Sequence, residues 1–504
     1  MVESSISDSR ARQVIIASNR GPIEYYVKED GSIDSRRSPG GLVTALLTFA
    51  SSAQATWVSM AVTPGDRQVF ERSRGASFPL SGVSGQNHIQ LRSVMLEEDV
   101  YSKYYNTLST GLLWFTHNYL YELVDGMRTG LAEHQVLDAW TNGYRLANQA
   151  IADTVCAEIG QSQEQVIIML QDNLLYLVSS MIRQCYPGVF IQQFLHWPWP
   201  DVRYLTFLPG PILQDMYQGL MGCDIIGFQT KRDAYNFLDG ASTFLTDAIV
   251  DTSECTIEWN GRRTVIRNYP ISISVKEERL AVQSFDARKE EKELQHFFNK
   301  KLIVRVDRLD PIKNIIRGFL AYAQLLDNHP ELREEVHFLA FLLPTRENAP
   351  LYQEYKSSVL RLIEEINQRY GSDEWIPIRP FIGNNRTRSL VALQWYDVLL
   401  VNSIADGMNL VAKEGPIVNQ RDGILVLSRS VGAFEQLGRC SLPISPTSID
   451  ETAQALYQAL TMPGEERHSR ATLARTIVEQ QNLDLWIEQQ QKDIQQLLTG
   501  QEYV

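Results

Sequence analysis

Several stretches set residues with chemical capacity directly behind short apolar runs. Leu302 to Val306 is followed by Asp307, Arg308, Leu309, Asp310, Pro311, Ile312, Lys313 and Asn314, then by the helical pattern IIRGFLAYAQLL. Arg308 and Lys313 flank a strand-to-helix turn, where two cations and free helix N–H groups can stabilise a departing diphosphate. An Asp310–Lys313 pair capping the helix is the alternative. Val398 to Val401 leads into DGMNLVAKE, Asp406 through Glu414. There Gly407 lets backbone approach a ligand, Asn409 starts a helix, and Glu414 falls a helical turn or so later, within reach of a ribose. Polar and charged residues crowd around few apolar ones, which suits a nucleotide-sugar site better than a core helix.

The first half offers three such places. Val14 to Ala17 runs into Ser18, Asn19, Arg20, Gly21 and Pro22, and an arginine at the mouth of a buried strand can hold an anion by bidentate hydrogen bonds. An ordinary loop arginine is the alternative. Ser38, Pro39, Gly40 and Gly41 precede an apolar helix from about Leu42, so they form either a simple turn or a cradle whose N–H groups meet a diphosphate. Phe194 to Pro200 (FLHWPWP) ends a strand with His196 and a rigid aromatic turn. That histidine can hold a sugar hydroxyl, or it can satisfy a backbone carbonyl.

Elements that alternate between strand and helix must position these residues. β-branched apolar runs at Val14–Ala17, Trp57–Ala61, Ile89–Val94, Val166–Leu170, Val189–Leu195, Ile225–Phe228 and Val265–Tyr269 alternate with amphipathic stretches, as do Leu302–Val306, Val336–Leu343, Ile376–Phe381, Val398–Val401 and Ile424–Leu427. This rhythm predicts an α/β protein of two doubly wound, Rossmann-like domains, with ligands at the carboxyl ends of the strands in a central cleft. Lys276–Lys300 is charged and reads as one exposed helix before a restarting strand. The expected domains are therefore 1–273, 274–483 and a C-terminal helix and tail at 484–504, the Asp484–Thr499 stretch being amphipathic.

Composition narrows the partners. With 504 residues, 44% hydrophobic and 21% charged, the chain is globular, and its net charge of −13 argues against nucleic acid. Five scattered cysteines (Cys156, Cys185, Cys223, Cys255, Cys440) show no zinc spacing or disulfide framework. Neither an apolar leader nor a membrane-length apolar run is evident. The expectation is a cytoplasmic protein with no metal, no cofactor and no membrane partner. Trp375 and Trp395 read as exposed aromatics that leave room for a homo-oligomer interface.

In this order, SNRGP, SPGGLVTAL, YYNTLSTGLLW (Tyr104 to Trp114), FLHWPWP, DIIGFQTKRDAYNFLD (Asp224 to Asp239), DRLDPIKNIIRGF, DGMNLVAKE and VLSRSVGAFEQL resemble glycosyltransferase family 20, the trehalose-6-phosphate synthase family of GT-B fold. The resemblance runs from about Val14 to Leu437. It implies a retaining transfer of glucose, or a close analogue, from a UDP-, GDP- or ADP-linked donor to a sugar phosphate such as glucose 6-phosphate. Arg308 and Lys313 would hold the donor diphosphate beside Gly40 and Gly41. Asp406 and the backbone of Gly407, Met408 and Asn409 would hold the donor sugar, Leu410 and Val411 would approach the diphosphate, and Glu414 would take the ribose. Arg20, Tyr105, Trp114 and Arg346 match acceptor-binding positions, and His196 and Asp172 match polar positions around the reacting sugars. The family's usual scheme is front-face attack, with the leaving phosphate accepting the acceptor's proton.

The chain departs from the family pattern at three places. The HDYHLL motif is replaced by Gln171, Asp172, Asn173, Leu174, Leu175 and Tyr176, which keeps the aspartate and loses both histidines. The glycine after the diphosphate lysine is Asn314, and the arginine before DGMN is Ala405. The N-terminal motifs are closer to a branch that includes the pseudoglycosyltransferases making validoxylamine 7'-phosphate. A nucleotide-activated cyclitol joined to an amino-cyclitol phosphate is therefore the second reading, and a non-catalytic sugar-phosphate sensor the third. A pyridoxal-phosphate enzyme is disfavoured because Lys413 falls on a helix.

Overall fold

A computed structural model describes residues 13–37, 54–80, 89–123, 133–159 and 166–500, together with Val43, Leu46, Leu47 and Phe49. The chain divides into two compact units: the chain up to Tyr269 joined by that from Ile487 onward, and Pro270–Trp486.

In the first unit the described residues form a ten-stranded sheet. Its parallel centre runs Arg262–Asn268, Ile225–Phe228, Phe190–Phe194, Val166–Gln171, Gln13–Ser18, Gln54–Met60 and Ile89–Val94. The middle strands are buried along their whole length, from Val166 to Gln171 and from Phe190 to Phe194, as expected where helices cover both faces of a parallel sheet. Strand order reverses between Val166–Gln171 and Gln13–Ser18, the switch point where such sheets bind ligands. Antiparallel strands extend both edges. One is turned by Asn260 and Gly261 at φ 50° and 75°, the left-handed pair a two-residue hairpin requires.

In the second unit six parallel strands lie in the order Ile378–Ile382, Val336–Leu343, Lys301–Arg308, Val398–Val401, Ile424–Ser428 and Leu442–Ile444. This is the Rossmann order, with its switch point between Lys301–Arg308 and Val398–Val401. Helix Ile315–Asn328 packs on the sheet through Ile315, Phe319, Tyr322 and Leu326, all fully buried.

Three details differ from the sequence reading. Lys276–Lys300 holds two α-helices, Val275–Ala281 and Phe285–Leu294, followed by a 3-10 turn, Gln295–Phe297, because Ser284 breaks the run and accepts a hydrogen bond from Ala287 N at 3.1 Å as a new N-cap. Trp375 is not exposed: it is 1% accessible and donates from Nε1 to Val336 O at 3.2 Å. Trp395 is half-buried: it stacks on Phe298 with centroids 5.0 Å apart and carries Arg421 over its face. The C-terminal helix, Leu483–Thr499, buries Trp486, Ile487, Gln490 and Ile494. Among the described residues no helix is long and apolar enough to cross a membrane.

Candidate active site

The second unit gathers its chemistry at the switch point. Arg308 is the last residue of its strand, and Asp310 starts a one-turn 3-10 helix, Pro311–Lys313, by accepting from Ile312 N at 3.2 Å. Lys313 reaches across to Asp406, with its Nζ donating to Oδ2. Asp406 also accepts from Asn409 Nδ2 at 3.1 Å and Ser403 Oγ at 3.4 Å. The pair Lys313 forms is thus with Asp406, whereas Asp310 caps the turn and accepts from Tyr352 Oη at 3.5 Å. Arg346 donates to that tyrosine and lies over its ring.

Neighbouring backbone holds this loop in place. Gly432 N donates to Asp406 O and Ala433 N to Met408 O, both at 2.9 Å. Asn409 adopts φ 68° and accepts from Ala412 N at 3.2 Å, two residues ahead of helix Val411–Val418. Its left-handed backbone and short polar side chain let the chain turn sharply into the helix N-terminus.

Two departures from the family pattern have a local physical account. Asn314 stands at φ 54°, the conformation glycine supplies elsewhere. Its amide replaces that freedom with hydrogen bonds, from Nδ2 to Asn402 O at 2.9 Å and to Pro446 O at 2.6 Å. Ala405 is buried, and Lys313 supplies the cation beside Asp406.

A residue the sequence reading passed over supports Lys313 from below. Arg305 is fully buried within the strand and grips Asp307 Oδ2 through Nε at 3.1 Å and Nη2 at 2.7 Å. It also donates to Lys313 O at 3.0 Å and Ile315 O at 3.4 Å. Burial pushes the Asp307 carboxyl up against the opposing pull of Arg305 and Lys313. Two charges inside an apolar strand were the available signal.

Glu414 lies apart from the Lys313 group, on the helix that follows. Arg386 Nη2 sits 3.7 Å from its Oε1 but is closer to Glu278, at 2.5 and 2.7 Å from the two carboxylate oxygens. Burial, reinforced by Glu278, pushes Glu414 up to about 7. Lys413 is buried and donates to Ile271 O at 2.6 Å, and burial brings it down to about 7.

In the first unit, Arg20 follows its strand into the open, while Ser18 beneath it accepts from Trp57 Nε1 at 2.8 Å and donates to Arg20 O at 2.6 Å. Tyr105 stacks on Tyr101 at 5.5 Å and 14°. Burial pushes Tyr101 up to about 12 even though the Arg20 charge pulls the other way, so Arg20 and Tyr105 share one neighbourhood. Tyr105 belongs to a π-helical segment, Ser102–Leu113, whose wide turns Ser109 and Thr110 brace by donating to Tyr104 O and Tyr105 O five residues back, at 2.7 and 3.0 Å. Such turns are rare and cluster at functional sites.

His196 is held from both sides. Its Nε2 lies 3.3 Å from Gln171 Oε1 and its Nδ1 3.3 Å from Gln229 Nε2, contacts that match a neutral Nε2–H tautomer with the two amides assigned in these orientations. The imidazole keeps some accessible surface, but desolvation pushes it down to about 3. Asn173 Oδ1 accepts from both His196 N and Trp197 N at 3.0 Å, which locks the aromatic turn. Trp197 meets Trp114 edge-on at 5.1 Å. Asp172 follows the strand at φ 80°, donates from its backbone to Phe194 O at 2.9 Å, and accepts from Asn173 N. Gly40 and Gly41 lie outside the described residues. Among the described residues no group of three His, Cys, Asp or Glu side chains is arranged to hold a metal ion.

Gln171 and Asn173 entered the sequence reading only as departures from the HDYHLL motif, Gln229 was passed over, and none of them was given a role, although each stands at or just beyond the carboxyl end of a parallel strand. The Glu278–Arg386 pair had no local signal, since its members are 108 residues apart.

Rossmann-type sheets in each unit, with polar residues at their switch points, make up the GT-B class of glycosyltransferase. The chain belongs to glycosyltransferase family 20, which it matches over residues 12–496. It is 30% identical over 489 residues to the alpha,alpha-trehalose-phosphate synthase [UDP-forming] of Schizosaccharomyces pombe, covering 95% of this chain and 89% of the relative. It is 27% identical to the validamine 7-phosphate valienyltransferase of Streptomyces hygroscopicus subsp. jinggangensis, covering 95% and 93%. The E. coli structure described as "Trehalose-6-phosphate from E. coli bound with UDP-2-fluoro glucose" superposes with a TM-score of 0.82 at 27% identity, covering 96% of this chain and 99% of that one.

Proposed function

We propose that this protein is a retaining transferase that moves glucose, or a close analogue, from a nucleoside diphosphate to a sugar phosphate, giving trehalose 6-phosphate or a relative. The observation that carries this reading is the second unit's switch point: Arg308 ends one central strand, and Lys313 is locked to Asp406 behind the next. A glycosyl diphosphate brings two charges that need cations and a sugar whose hydroxyls need acceptors, and this arrangement supplies both within one loop cluster.

In this reading Arg308 and Lys313 take the diphosphate and Asp406 a donor hydroxyl. The helix N-terminus at Leu410 and Val411 adds N–H groups, and Glu414 takes the ribose. Arg20, Tyr105, Trp114, Asp172 and Arg346 serve the phosphorylated acceptor. The bond between the anomeric carbon and the diphosphate oxygen breaks as the acceptor oxygen bonds to the same face, and the leaving phosphate takes the acceptor's proton. His196, neutral and tied at both nitrogens, serves as a fixed hydrogen-bonding group rather than a proton carrier.

The likeness to a valienyltransferase favours a second reading, in which the donor is a nucleotide-activated cyclitol and the acceptor an amino-cyclitol phosphate. Mass spectrometry after incubation with UDP-, GDP- or ADP-glucose and glucose 6-phosphate separates the two. A disaccharide phosphate supports the first reading; no transfer from any nucleotide-glucose, with turnover of a cyclitol donor, selects the second.

A further inference from the structure

The three side chains Glu278, Arg386 and Glu414 come from separate helices of the second unit, Val275–Ala281, Arg386–Trp395 and Val411–Val418. One guanidinium serves two carboxylates unequally. It contacts both oxygens of Glu278, whose side chain is 8% accessible, and stays 3.7 Å from Glu414, whose side chain is 18% accessible. Other charges on the Glu414 helix and on the helices packed against that helix are engaged elsewhere. Lys413, on the same helix, donates to Ile271 O; Arg475, on Gly464–Gln480, points at Pro416 O and Asn419 O; Arg388, next to Arg386, pairs with Glu290 at 2.5 Å. Glu277 adds only a distant negative charge, felt by Glu278.

We infer that Arg386 and Glu278 are positioning residues for recognition of the donor ribose, and that their unequal pairing makes donor binding release a proton from Glu414. This deepens the proposed function and rests on Glu414 facing the ribose. A carboxylate receives two ribose hydroxyls through both oxygens only when ionised, since a carboxylic acid uses one oxygen as a donor. Burial raises Glu414 and the nearby Glu278 charge adds to it; Arg386, held mainly by Glu278 and 3.7 Å from Glu414, pulls the other way without cancelling them, so the carboxyl keeps its proton near neutrality. Donor binding must then expel that proton, so affinity rises with pH and levels off once the free site is already ionised.

The test is isothermal titration calorimetry of the full-length protein with UDP-, GDP- and ADP-glucose, no acceptor present, in buffers of different ionisation enthalpy. A nucleotide sugar is the right probe because its diphosphate, esterified at both ends, does not itself titrate near neutrality. From the Glu414 value of about 7, binding should be about tenfold weaker at pH 6 than at pH 8, with about half a proton released at pH 7. Glu278→Gln frees Arg386 for Glu414, so it should flatten the pH dependence to under about twofold. Arg386→Gln should steepen it and weaken binding at neutral pH. The opposite signs separate this from mere damage to the fold. Where a variant does not fold, the proton count of the wild-type chain decides. Donor binding with no proton exchange and no pH dependence overturns the inference and leaves the proposed function standing; variants that move in the same direction overturn it too. Absence of binding by all three donors at every pH overturns the glucose-donor reading and the inference together.

Discussion

Replacing Gln171 with glutamate should convert His196 from a permanently neutral imidazole into one that titrates. In the native chain Gln171 Oε1 lies 3.3 Å from Nε2, Gln229 Nε2 donates to Nδ1, and desolvation holds the ring at about 3. A carboxylate at that distance attracts an imidazolium by about 5 kcal/mol at an effective dielectric of 20. Desolvation of the new charge cancels part of this, and an opposite charge at such range typically raises a pKa by roughly 1–3, placing the variant's imidazole at roughly 4–6. The assay is long-range ¹H–¹⁵N NMR of the histidine side chains across about pH 4 to 8, with His196→Asn used for assignment among the eight histidines. Native His196 should show an unchanging Nε2–H pattern, whereas the variant's should move towards the doubly protonated pattern as pH falls. The sign carries to activity: transfer by the Gln171→Glu variant should decline as pH drops through the raised value, a decline that His196 does not cause in the native enzyme. A native His196 titrating near its ordinary value of about 6.5, or an Nδ1–H tautomer, would refute the reasoning.

Other substitutions test separate links. Arg308→Ala should lower kcat by about 10²–10³ while the protein stays folded, since it removes a cation from the leaving diphosphate; unchanged turnover in steady-state assays would remove Arg308 from that role. Arg305→Met strands the buried Asp307 carboxylate and frees the carbonyls of Lys313 and Ile315, so urea unfolding should show a loss of about 3–5 kcal/mol, and a loss below about 1 kcal/mol would contradict the buried pair. Asn314→Ala faces both the left-handed backbone, about 1–2 kcal/mol, and three lost side-chain bonds, two donated by Nδ2 and one accepted by Oδ1 from Arg317 Nη1. Asn314→Gly faces only the lost bonds, so thermal melts should rank native above glycine above alanine.

How much was legible in advance follows from the range of each interaction. The parallel strands were readable because burial on both faces makes them continuous β-branched runs, such as Val166 to Leu170 and Val398 to Val401. Their carboxyl ends pointed to Arg308, Lys313, Asp406 and His196 because switch-point chemistry is fixed by topology. Trp375 was misjudged because its neighbours Gly371, Ser372, Asp373 and Glu374 are those of an exposed turn, while its indole reaches back to Val336. The single helix expected over Lys276–Lys300 fails for a local reason, the Ser284 cap, that charge patterning does not register. The partner of Lys313, the glutamines around His196 and the Glu278–Arg386–Glu414 group join residues 25 to 136 positions apart. No window along the chain contains them.

The central claim is transfer from a nucleotide sugar to a phosphorylated sugar with retention. Its most direct test is NMR of the reaction in progress, with UDP-, GDP- or ADP-glucose and glucose 6-phosphate as substrates. One nucleoside diphosphate should appear for each new disaccharide phosphate, and the transferred glucose should keep its α-anomeric configuration. A β-linked product, or free glucose released from the donor with none attached to the acceptor, would contradict it.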